Sequence, residues 1–451
     1  MMQFRPKLPD RRSLLGGGLG LGASLLLGKT RPDERPNILV ICSDQQHWQA
    51  MGYMDPFFET PNCDRLAERS LNLTQAFCPT PQCSPSRAAM MTGFYPHKTG
   101  VNNNHGLPGD EGLKLPTLGH HMQQAGYYTA YHGKWHLGTT ALATAGWDSF
   151  RMTRQHTDRQ VTRMTRRFFS RASKLEKPFC LFAMYLEPHG IQEFAVDPGA
   201  KLALDAPLGE SWRKETFENK PAVQTQIREQ KGASKLAGQP EEAWKQYRVA
   251  YRERVRRFDA EVGKVLKLLE DNGLSNNTIV VVTSDHGEMD TFHRLIFKGP
   301  FMYEHVMRIP MLVHVPESMG GRTGVLDDYA WVNMDLLPTL MDIAGAEVPK
   351  CDGRSMLPIL RGEEQAPLPF VIGQYYGKGQ WIHPVRMIRT ARYKYTRDHK
   401  GDEELYDLQQ DPHELTNLAG LETHAQTRSQ LDTRLRTWMK ENEDPFESFA
   451  K

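Results

Sequence analysis

Short apolar runs alternate along this sequence with segments of helical periodicity. The runs are bounded by Pro, Gly or Asn and cover residues 37–42, 127–131, 179–185, 278–283 and 311–315. Strands that alternate with helices in this way are typical of an open α/β sheet whose strands are mainly parallel. We therefore predict an α/β fold with a large mixed, mainly parallel sheet sandwiched by helices.

Two of the segments between these runs have helical spacing. Apolar residues recur from 262 to 269, and Asn272-Gly273 then supplies a stop signal. Residues 151–174 are rich in arginine and carry one apolar stripe, formed by Val161, Met164 and Phe168. A face for nucleic acid or lipid is one interpretation of this segment. A helix packed on the sheet with a solvated basic side is the interpretation we favour.

The composition and periodicity of the sequence differ from the strand-and-helix pattern in two places, at residues 195–243 and again after Cys351. Residues 195–243 are polar and weakly periodic, which predicts a long surface excursion. Residues 385–390 and 393–397 predict a β-hairpin around Ala391-Arg392, and residues 423–441 predict a last helix. We place a boundary near residue 346, with a larger domain at 35–345 and a smaller α+β subdomain, an antiparallel sheet plus helix, at 346–451.

The first thirty residues resemble an export signal. Arg11-Arg12 precedes a mildly apolar, glycine-rich run from 14 to 28, and a polar stretch follows. This order predicts a twin-arginine-type signal segment at 1–30 and a periplasmic or secreted protein. A membrane-spanning helix is the alternative, but the run is shorter than ~20 apolar residues. An uncleaved segment would be the protein's only membrane contact.

Charge and cysteine content exclude several classes of protein. Lys plus Arg (56) nearly equals Asp plus Glu (54), which argues against a nucleic-acid partner. The six cysteines lack C-x-x-C spacing, which disfavours a zinc ribbon or a disulfide scaffold. Cys42 and Cys180 lie in apolar runs, as buried cysteines do. Cys83 instead lies in a polar turn between Pro81 and Pro85, where we expect it to be exposed.

Chemically active residues follow four of the predicted strands. The carboxyl ends of parallel strands meet at one edge of a sheet, where ligands bind, so these clusters can converge. The clusters are Asp44-Gln45, Lys134 with His136, Glu187 with His189, and Asp285-His286.

These clusters separate into two chemical groups. Asp44, Gln45, Asp285 and His286 offer hard oxygen donors and one imidazole, which suit Ca²⁺ or Mg²⁺. The other group is cationic or can become so, and around one cation it would form a site for a multiply charged oxyanion. Its members are Arg87, Lys134, His136, His189 and Lys298.

The segment from Cys83 to Gly93 decides between the interpretations. Cys83-Ser84-Pro85-Ser86-Arg87 and its continuation resemble the signature of type I sulfatases, in which the cysteine is oxidised to formylglycine. Lys-x-His-x-Gly at 134–138, Asp-His-Gly-Glu at 285–288 and Lys298-Gly299-Pro300 resemble further motifs of that family, in the right order. The resemblance spans about residues 35 to 420.

The resemblance implies a role for each matched residue. Asp44, Gln45, Asp285, His286 and modified Cys83 would bind one Ca²⁺, with Mg²⁺ a weaker candidate. Arg87 and His136 would hold the formylglycine hydrate, one hydroxyl of which attacks sulfur while the other later releases sulfate. Lys134, His189 and Lys298 would grip the sulfate, and His189 or Lys298 would protonate the leaving oxygen.

Two positions depart from the family pattern. Gln45 stands where many relatives have Asp, which removes one negative charge from the metal site. Gly190 follows His189 where many relatives continue His-x-Pro.

The resemblance implies a sulfuric ester hydrolase acting on a sulfated carbohydrate or another organic sulfate ester. It also implies a partner that matures Cys83, either a formylglycine-generating enzyme or an anaerobic sulfatase-maturating enzyme. A phosphodiesterase or phosphonate monoester hydrolase of the same superfamily is one alternative. A non-catalytic carbohydrate-binding relative is the other, which the retained charged residues disfavour.

Overall fold

A computed structural model of the chain describes residues 35–153, 158–197, 205–229, 234–328 and 330–449. The predicted signal segment at 1–30 lies outside the described residues, and export stays a prediction. In chain order the strands are β1 (Asn37–Asp44), β2 (Leu71–Leu73), β3 (Ala76–Phe77), β4 (Tyr128–Gly133), β5 (Ser149–Met152), β6 (Phe179–Pro188), β7 (Thr278–Ser284), β8 (Met311–His314), β9 (Gly324–Leu326), β10 (Trp331–Val332), β11 (Val371–Lys378), β12 (Trp381–Arg389), β13 (Tyr393–Asp398) and β14 (Glu403–Asp407).

The α-helices surround these strands and are, in chain order, α1 (Pro61–Ala67), α2 (Cys83–Thr92), α3 (Pro96–Thr99), α4 (Leu118–Gln124), α5 (Ala141–Thr144), α6 (Asp158–Ala172), α7 (Glu210–Lys214), α8 (Ala222–Glu229), α9 (Glu241–Asp271), α10 (Glu304–Met307), α11 (Leu336–Ile343), α12 (Leu357–Leu360) and α13 (Ala425–Glu441). Across the described residues, none of them is long and apolar enough to cross a membrane.

The large sheet has the strand order β5-β4-β6-β1-β7-β8-β2-β9. Its strands are parallel except β8, which runs antiparallel to both β7 and β2. The prediction of a mixed, mainly parallel sheet is therefore confirmed. An antiparallel neighbour needs no crossover helix, so the long connection from β7 to β8 remains near the carboxyl end of β7 and contributes residues to the site there.

Alternate residues of the central strands face two separate cores. Ile38 and Val40 of β1 belong to one buried cluster, while Leu39 and Ile41 belong to the other. The period of two in a strand sends successive side chains to opposite faces. Residues of α1, α6 and α9 complete the second cluster, and residues of α2, α4 and α11 belong to the first. The sheet is sandwiched by helices, as predicted.

The arginine-rich segment differs in detail from its prediction. Residues 149–152 pair with β4 as an edge strand, and the helix begins only at Asp158. Its buried face is formed by Val161, Thr165 and Phe169, while Met164 and Phe168 are only partly buried. The i, i+4 spacing of that face packs the helix on the sheet, and the arginines of α6 lie at the surface.

The polar excursion also contains more structure than predicted. Its described parts include α7 and α8, and α9 starts at Glu241, far ahead of the periodic segment from 262 to 269. The early turns of α9 bury Trp244, Tyr247 and Tyr251 in the first core.

The C-terminal region is an antiparallel sheet with strand order β11-β12-β13-β14, against which α13 packs. The predicted hairpin is β12 and β13, paired from Val385 with Asp398 to Arg389 with Lys394. This confirms the smaller antiparallel sheet plus helix. Ile388 of this sheet and Met307 of the preceding region share one buried cluster, and the domain boundary near residue 346 stays a prediction.

Candidate active site

The predicted site residues converge at the carboxyl edge of the large sheet. Asp44 ends β1 and lies opposite Pro188 of β6, and Ser43 lies opposite Ser284 of β7. Asp44 and Gln45, His189, and Asp285 therefore leave three adjacent strands side by side. Lys134 follows β4, which is the next strand after β6. Parallel register thus assembles a site from segments distant in sequence.

Four side chains form a buried group that can bind a metal ion. Ligand atoms of Asp44, Cys83, Asp285 and His286 all lie within 4.8 Å of one another. His286 Nε2 is 3.7 Å from Asp44 Oδ1 and 3.7 Å from Asp285 Oδ1. Two carboxylates and an imidazole suit a hard divalent cation.

Gln45 lies beside this group in a left-handed backbone conformation, with φ 68°. Its Oε1 accepts hydrogen bonds from Lys298 Nζ at 2.7 Å and Gln192 Nε2 at 3.1 Å. Its Nε2 donates to Glu288, so the amide oxygen is directed towards Lys298. In this structure Lys298 and Gln192 use both lone pairs of the Gln45 oxygen, so Gln45 can bind a metal ion only by giving up one of these hydrogen bonds.

Arg87 connects the two carboxylates. Its Nε donates to Asp285 Oδ2 at 2.9 Å, its Nη2 to Asp44 Oδ2 at 3.1 Å and its Nη1 to the Lys134 carbonyl at 2.8 Å. The arginine occupies the Oδ2 atoms, so the Oδ1 atoms remain directed towards His286. The resemblance implies that Arg87 holds a hydrate; in this structure its nitrogens are directed at the carboxylates.

Cys83 is the first residue of α2 and is only 1% exposed. The expectation of an exposed turn is wrong, because side chains from several strand ends close over the polar segment. Its Sγ lies 3.0 Å from Lys298 Nζ, 3.9 Å from Lys134 Nζ and 3.2 Å from His286 Nε2. Burial opposes ionisation of the thiol, but Lys134, Lys298 and His286 hold its pKa well below the usual value. The site therefore stabilises negative charge at this position, and the N-terminal end of α2 adds to that effect.

Two further histidines interact electrostatically with Cys83. His136 contributes to lowering the pKa of the Cys83 thiol, and the thiol in turn acts to raise the pKa of His189. Burial, and then Lys134, lower the pKa of His189, so a neutral ring is favoured there in the absence of an anion. His136 has a φ of 63°, and its buried Nδ1 has no hydrogen-bond partner among the described residues.

Several pocket residues were missed at the sequence level. The entrance is a pocket of about 180 Å³ whose wall includes Gln82, Gln192, Tyr375 and Lys378 as well as His136, His189 and Lys298. Two of the missed residues, Tyr375 and Lys378, come from β11 in the C-terminal sheet. Glu288 was matched only as part of a motif, yet it accepts the hydrogen bond that directs the Gln45 amide. The Asp-His-Gly-Glu motif at 285–288 was the sequence feature that could have pointed to Glu288.

Comparison with protein families identifies the family to which these active-site residues belong. The sequence profile described as Sulfatase matches residues 36–346, and that described as N-sulphoglucosamine sulphohydrolase, C-terminal, matches residues 292–441. The chain belongs to the sulfatase family. Its fold and active-site motifs place this sulfatase among hydrolases of sulfuric esters, which confirms the predicted enzyme class.

Individual relatives agree with this assignment. The sulfatase is 28% identical to a Delta 4,5-hexuronate-2-O-sulfatase of Bacteroides thetaiotaomicron, over 95% of this chain and 94% of the relative. A solved structure in complex with its substrate D-glucosamine-2-N,6-O-disulfate is 25% identical, with a TM-score of 0.71, covering 92% of this chain and 99% of the other. A phosphonate monoester hydrolase of Agrobacterium radiobacter shares the fold at 19% identity and a TM-score of 0.75, covering 92% and 97%.

Proposed function

We propose that this sulfatase releases inorganic sulfate from a sulfated carbohydrate, with residue 83 in the formylglycine form. The observation that carries the proposal is the position of Cys83 Sγ, which belongs to the metal-binding group and also contacts two lysine ammonium groups. An aldehyde hydrate there supplies two hydroxyls on one carbon. One attacks sulfur and displaces the sugar oxygen, which leaves as a protonated alcohol; loss of the other hydroxyl's proton then breaks the bond between carbon and the sulfate oxygen, releases sulfate and restores the aldehyde.

A divalent cation, Ca²⁺ in this proposal, would be held by Asp44, Asp285, His286 and the oxygen of modified residue 83, with the Gln45 oxygen beside them. It would supply Lewis acidity and lower the pKa of a hydroxyl at residue 83. The donors fit this ion: two buried carboxylates, one amide oxygen and no fixed thiolate once Cys83 is converted. Arg87 orients both carboxylates for this role through their Oδ2 atoms.

The residues around position 83 neutralise and position the sulfate. Lys134 and Lys298 are placed to bind its free oxygens, because their ammonium groups already contact Cys83 Sγ. Fixed charges in a buried site stabilise developing negative charge strongly. Lys298 or His189 supplies the proton for the leaving oxygen, and His136 takes the proton from the hydroxyl that releases sulfate.

The substrate class follows from the relatives and from the pocket. Two relatives act on or bind sulfated sugars by name, and the pocket wall offers neutral amide and hydroxyl groups to sugar hydroxyls. We propose further that a formylglycine-generating or anaerobic maturating enzyme converts Cys83. Export through the predicted twin-arginine segment would bring the enzyme to extracellular substrates in the periplasm or medium.

Sulfate release from a panel of defined sulfated saccharides tests the proposed activity. Wild-type enzyme should release sulfate from at least one saccharide, with a higher kcat/KM than for a matched phosphodiester or phosphonate ester. Faster turnover of the diester than of every sulfate ester would assign the enzyme to the phosphonate and phosphodiester hydrolases instead.

Mass spectrometry tests the nucleophile. The peptide containing residue 83 of active enzyme should be lighter by about 18 Da than the cysteine form. Cys83→Ala should abolish turnover, by about 10⁴-fold or more, and Cys180→Ala, at a buried cysteine near the start of β6, is the matched control. A fully active enzyme with an unmodified thiol at residue 83 would contradict the mechanism.

Metal removal tests the cofactor. Chelation should abolish sulfate release, and Ca²⁺ should restore it better than Zn²⁺, because the donors are hard oxygens. Restoration by Zn²⁺ in preference to Ca²⁺ would overturn the assignment of the ion.

A further inference from the structure

One wall of the active-site pocket is formed by the C-terminal sheet. Lys378 is the last residue of β11, and both it and Tyr375 line the pocket together with His136, His189 and Lys298. The Lys378 ammonium donates to the Lys298 main-chain carbonyl at 3.2 Å. A cation from a different sheet is thus placed beside a lysine that contacts Cys83.

The hairpin that carries Lys378 is fixed to the segment that carries Cys83. Asn103 Nδ2 donates to the Gly379 carbonyl at 3.0 Å, next to Lys378. Asn103 Oδ1 in turn accepts from Gln82 Nε2 at 2.7 Å, and Gln82 directly precedes Cys83. Because side-chain hydrogen bonds join the two segments, the ammonium group is held at a defined place relative to the reacting centre.

The positive charge of Lys378 has no carboxylate partner among the described residues; its hydrogen bond is to a neutral carbonyl. The ammonium lies 5.7 Å from the centre of the Phe297 ring, a position that stabilises a cation without neutralising it. Lys134 and Lys298 already suffice to contact an anion at residue 83. Desolvation and the neighbouring charge of Lys298 lower the pKa of Lys378 to about 8, so the ammonium form still predominates at pH 7 and adds positive charge to that of Lys134 and Lys298.

Two neutral polar groups in the same pocket as Lys378 have no hydrogen-bond partner among the described residues. The buried Tyr375 hydroxyl and the buried Gln82 Oε1 form no hydrogen bond within the described part of the chain. Buried polar groups are normally hydrogen-bonded, and both residues line the pocket. They are placed to accept or donate hydrogen bonds to a ligand with hydroxyl groups.

We propose that Lys378, with Tyr375 and Gln82, forms a subsite for a second anionic group of the substrate. The preferred substrate is then a sugar that carries a carboxylate or another sulfate in addition to the sulfate that is released. This inference rests on the proposed function. The pocket volume of about 180 Å³ is below the ~300–1,000 Å³ of drug-sized sites, so the second group lies on the same sugar or directly next to it.

Two matched pairs of substrates test the subsite and distinguish its ligands. One pair is N-acetylglucosamine 6-O-sulfate against glucosamine 2-N,6-O-disulfate, and the other is a 2-O-sulfated hexuronate against its methyl ester. We expect wild-type enzyme to prefer the more anionic member of at least one pair by roughly 10-fold or more in kcat/KM, as for a hydrogen bond to a charged group. Preference in the first pair identifies a sulfate as the second anion, and preference in the second identifies a carboxylate.

Substitution of Lys378 tests whether this residue causes the preference for the more anionic sugar. Lys378→Met should remove most of it through a higher KM for the more anionic sugar, and Lys378→Arg should keep it. Lys400→Met, an exposed lysine in the turn between β13 and β14 of the same sheet, should leave it unchanged. Equal loss for both members of a pair would show that Lys378 binds the reacting sulfate and would overturn the proposal, as would a preference that survives Lys378→Met.

Binding to Cys83→Ala separates this inference from the proposed function. Calorimetry with the same pairs measures the preference as a ratio of Kd values, with no turnover needed. A preference in Kd that disappears in the Cys83→Ala, Lys378→Met double variant supports the subsite even if wild-type enzyme released no sulfate, which would refute only the proposed activity. Equal Kd values within both pairs would refute the subsite.

Discussion

The sulfatase buries two clusters of charged residues that differ in how completely their charges are paired. The first, the active-site cluster, contains Asp44 and Asp285 against Arg87, Lys134 and Lys298. The second, the support cluster, lies where α10, the C-terminal sheet and the connection between α7 and α8 meet. It contains as many carboxylates as cations. Its members are Glu215, Glu304, Glu404 and Glu414 with Lys220, Arg308, Arg389 and Lys394.

Pairing in the support cluster is close to complete. Lys394 Nζ lies 2.8 Å from Glu304 and 2.7 Å from Glu414, and donates to the Met302 carbonyl at 2.9 Å. Glu304 also contacts Arg389 at 3.2 Å. The active-site cluster instead has an excess of cations and an unpartnered imidazole nitrogen on His136. Removing one partner from a balanced buried cluster destabilises the fold, whereas unbalanced charge provides a binding site for an anion and a metal.

Lysine-to-methionine substitution in the support cluster should produce the largest effect on stability. Lys394→Met leaves Glu304 and Glu414 buried without their shared cation, which should lower the free energy of unfolding by about 3–5 kcal/mol. Denaturant unfolding measures this, with the exposed Lys400→Met as control. Because Lys394 is outside the active-site cluster, kcat per folded molecule should stay at the wild-type value. Unchanged stability would show that the cluster is not needed for the fold.

The same substitution in the active-site cluster should give the opposite pattern. Lys298→Met removes a donor to the sulfate and should lower kcat/KM roughly 10²- to 10³-fold. Stability should be unchanged or slightly higher, because one of the excess cations is removed. Sulfate-release kinetics and a thermal melt of the same preparation test both expectations. A loss of stability as large as that of Lys394→Met would remove the distinction between the two clusters.

The sequence predicts the active-site cluster far better than the support cluster, for a physical reason. Asp44, Lys134, His189 and Asp285 each follow an apolar run, and parallel topology brings such positions together. Arg389 and Lys394 lie within a hairpin, where alternation makes a charged residue indistinguishable from a solvent-facing one. Only tertiary packing shows that they are buried.

Contacts between distant segments account for what was missed within the site. Lys378 reaches the pocket from a sheet that no motif connects to Cys83, and the role of Glu288 depends on the conformation of Gln45. The burial of Cys83 was missed for the same reason, because local composition reports the turn and not the segments that cover it. The predicted bounds were wrong where a strand precedes a helix, because residues 151 and 152 of the predicted helix belong to β5.

The smallest expected effect is on the pH dependence of the free energy of unfolding. It involves His293, which lies beside Glu215 and Lys220 of the support cluster. His293 Nδ1 contacts Glu215 and lies 3.4 Å from Lys220 Nζ, and its ring stacks on Tyr303 with ring centres 3.9 Å apart. Burial, together with the charge of Lys220, outweighs Glu215 and lowers the pKa of His293 from 6.5 to about 4. In the folded protein the ring is therefore neutral near pH 6, which keeps the numbers of carboxylates and cations in the support cluster equal.

The sign of the pH dependence follows from that shift. The unfolded chain binds a proton at His293 near pH 6.5 and the folded chain only near pH 4, so unfolding takes up a proton between these values. The contribution is present above pH 6.5 and is lost as pH falls towards 4, amounting to about 1–3 kcal/mol. His293→Gln should lose less stability than wild type over this window, whatever its stability at pH 7. Denaturant unfolding at half-unit pH steps measures the two slopes, and parallel curves would show that His293 does not titrate with folding.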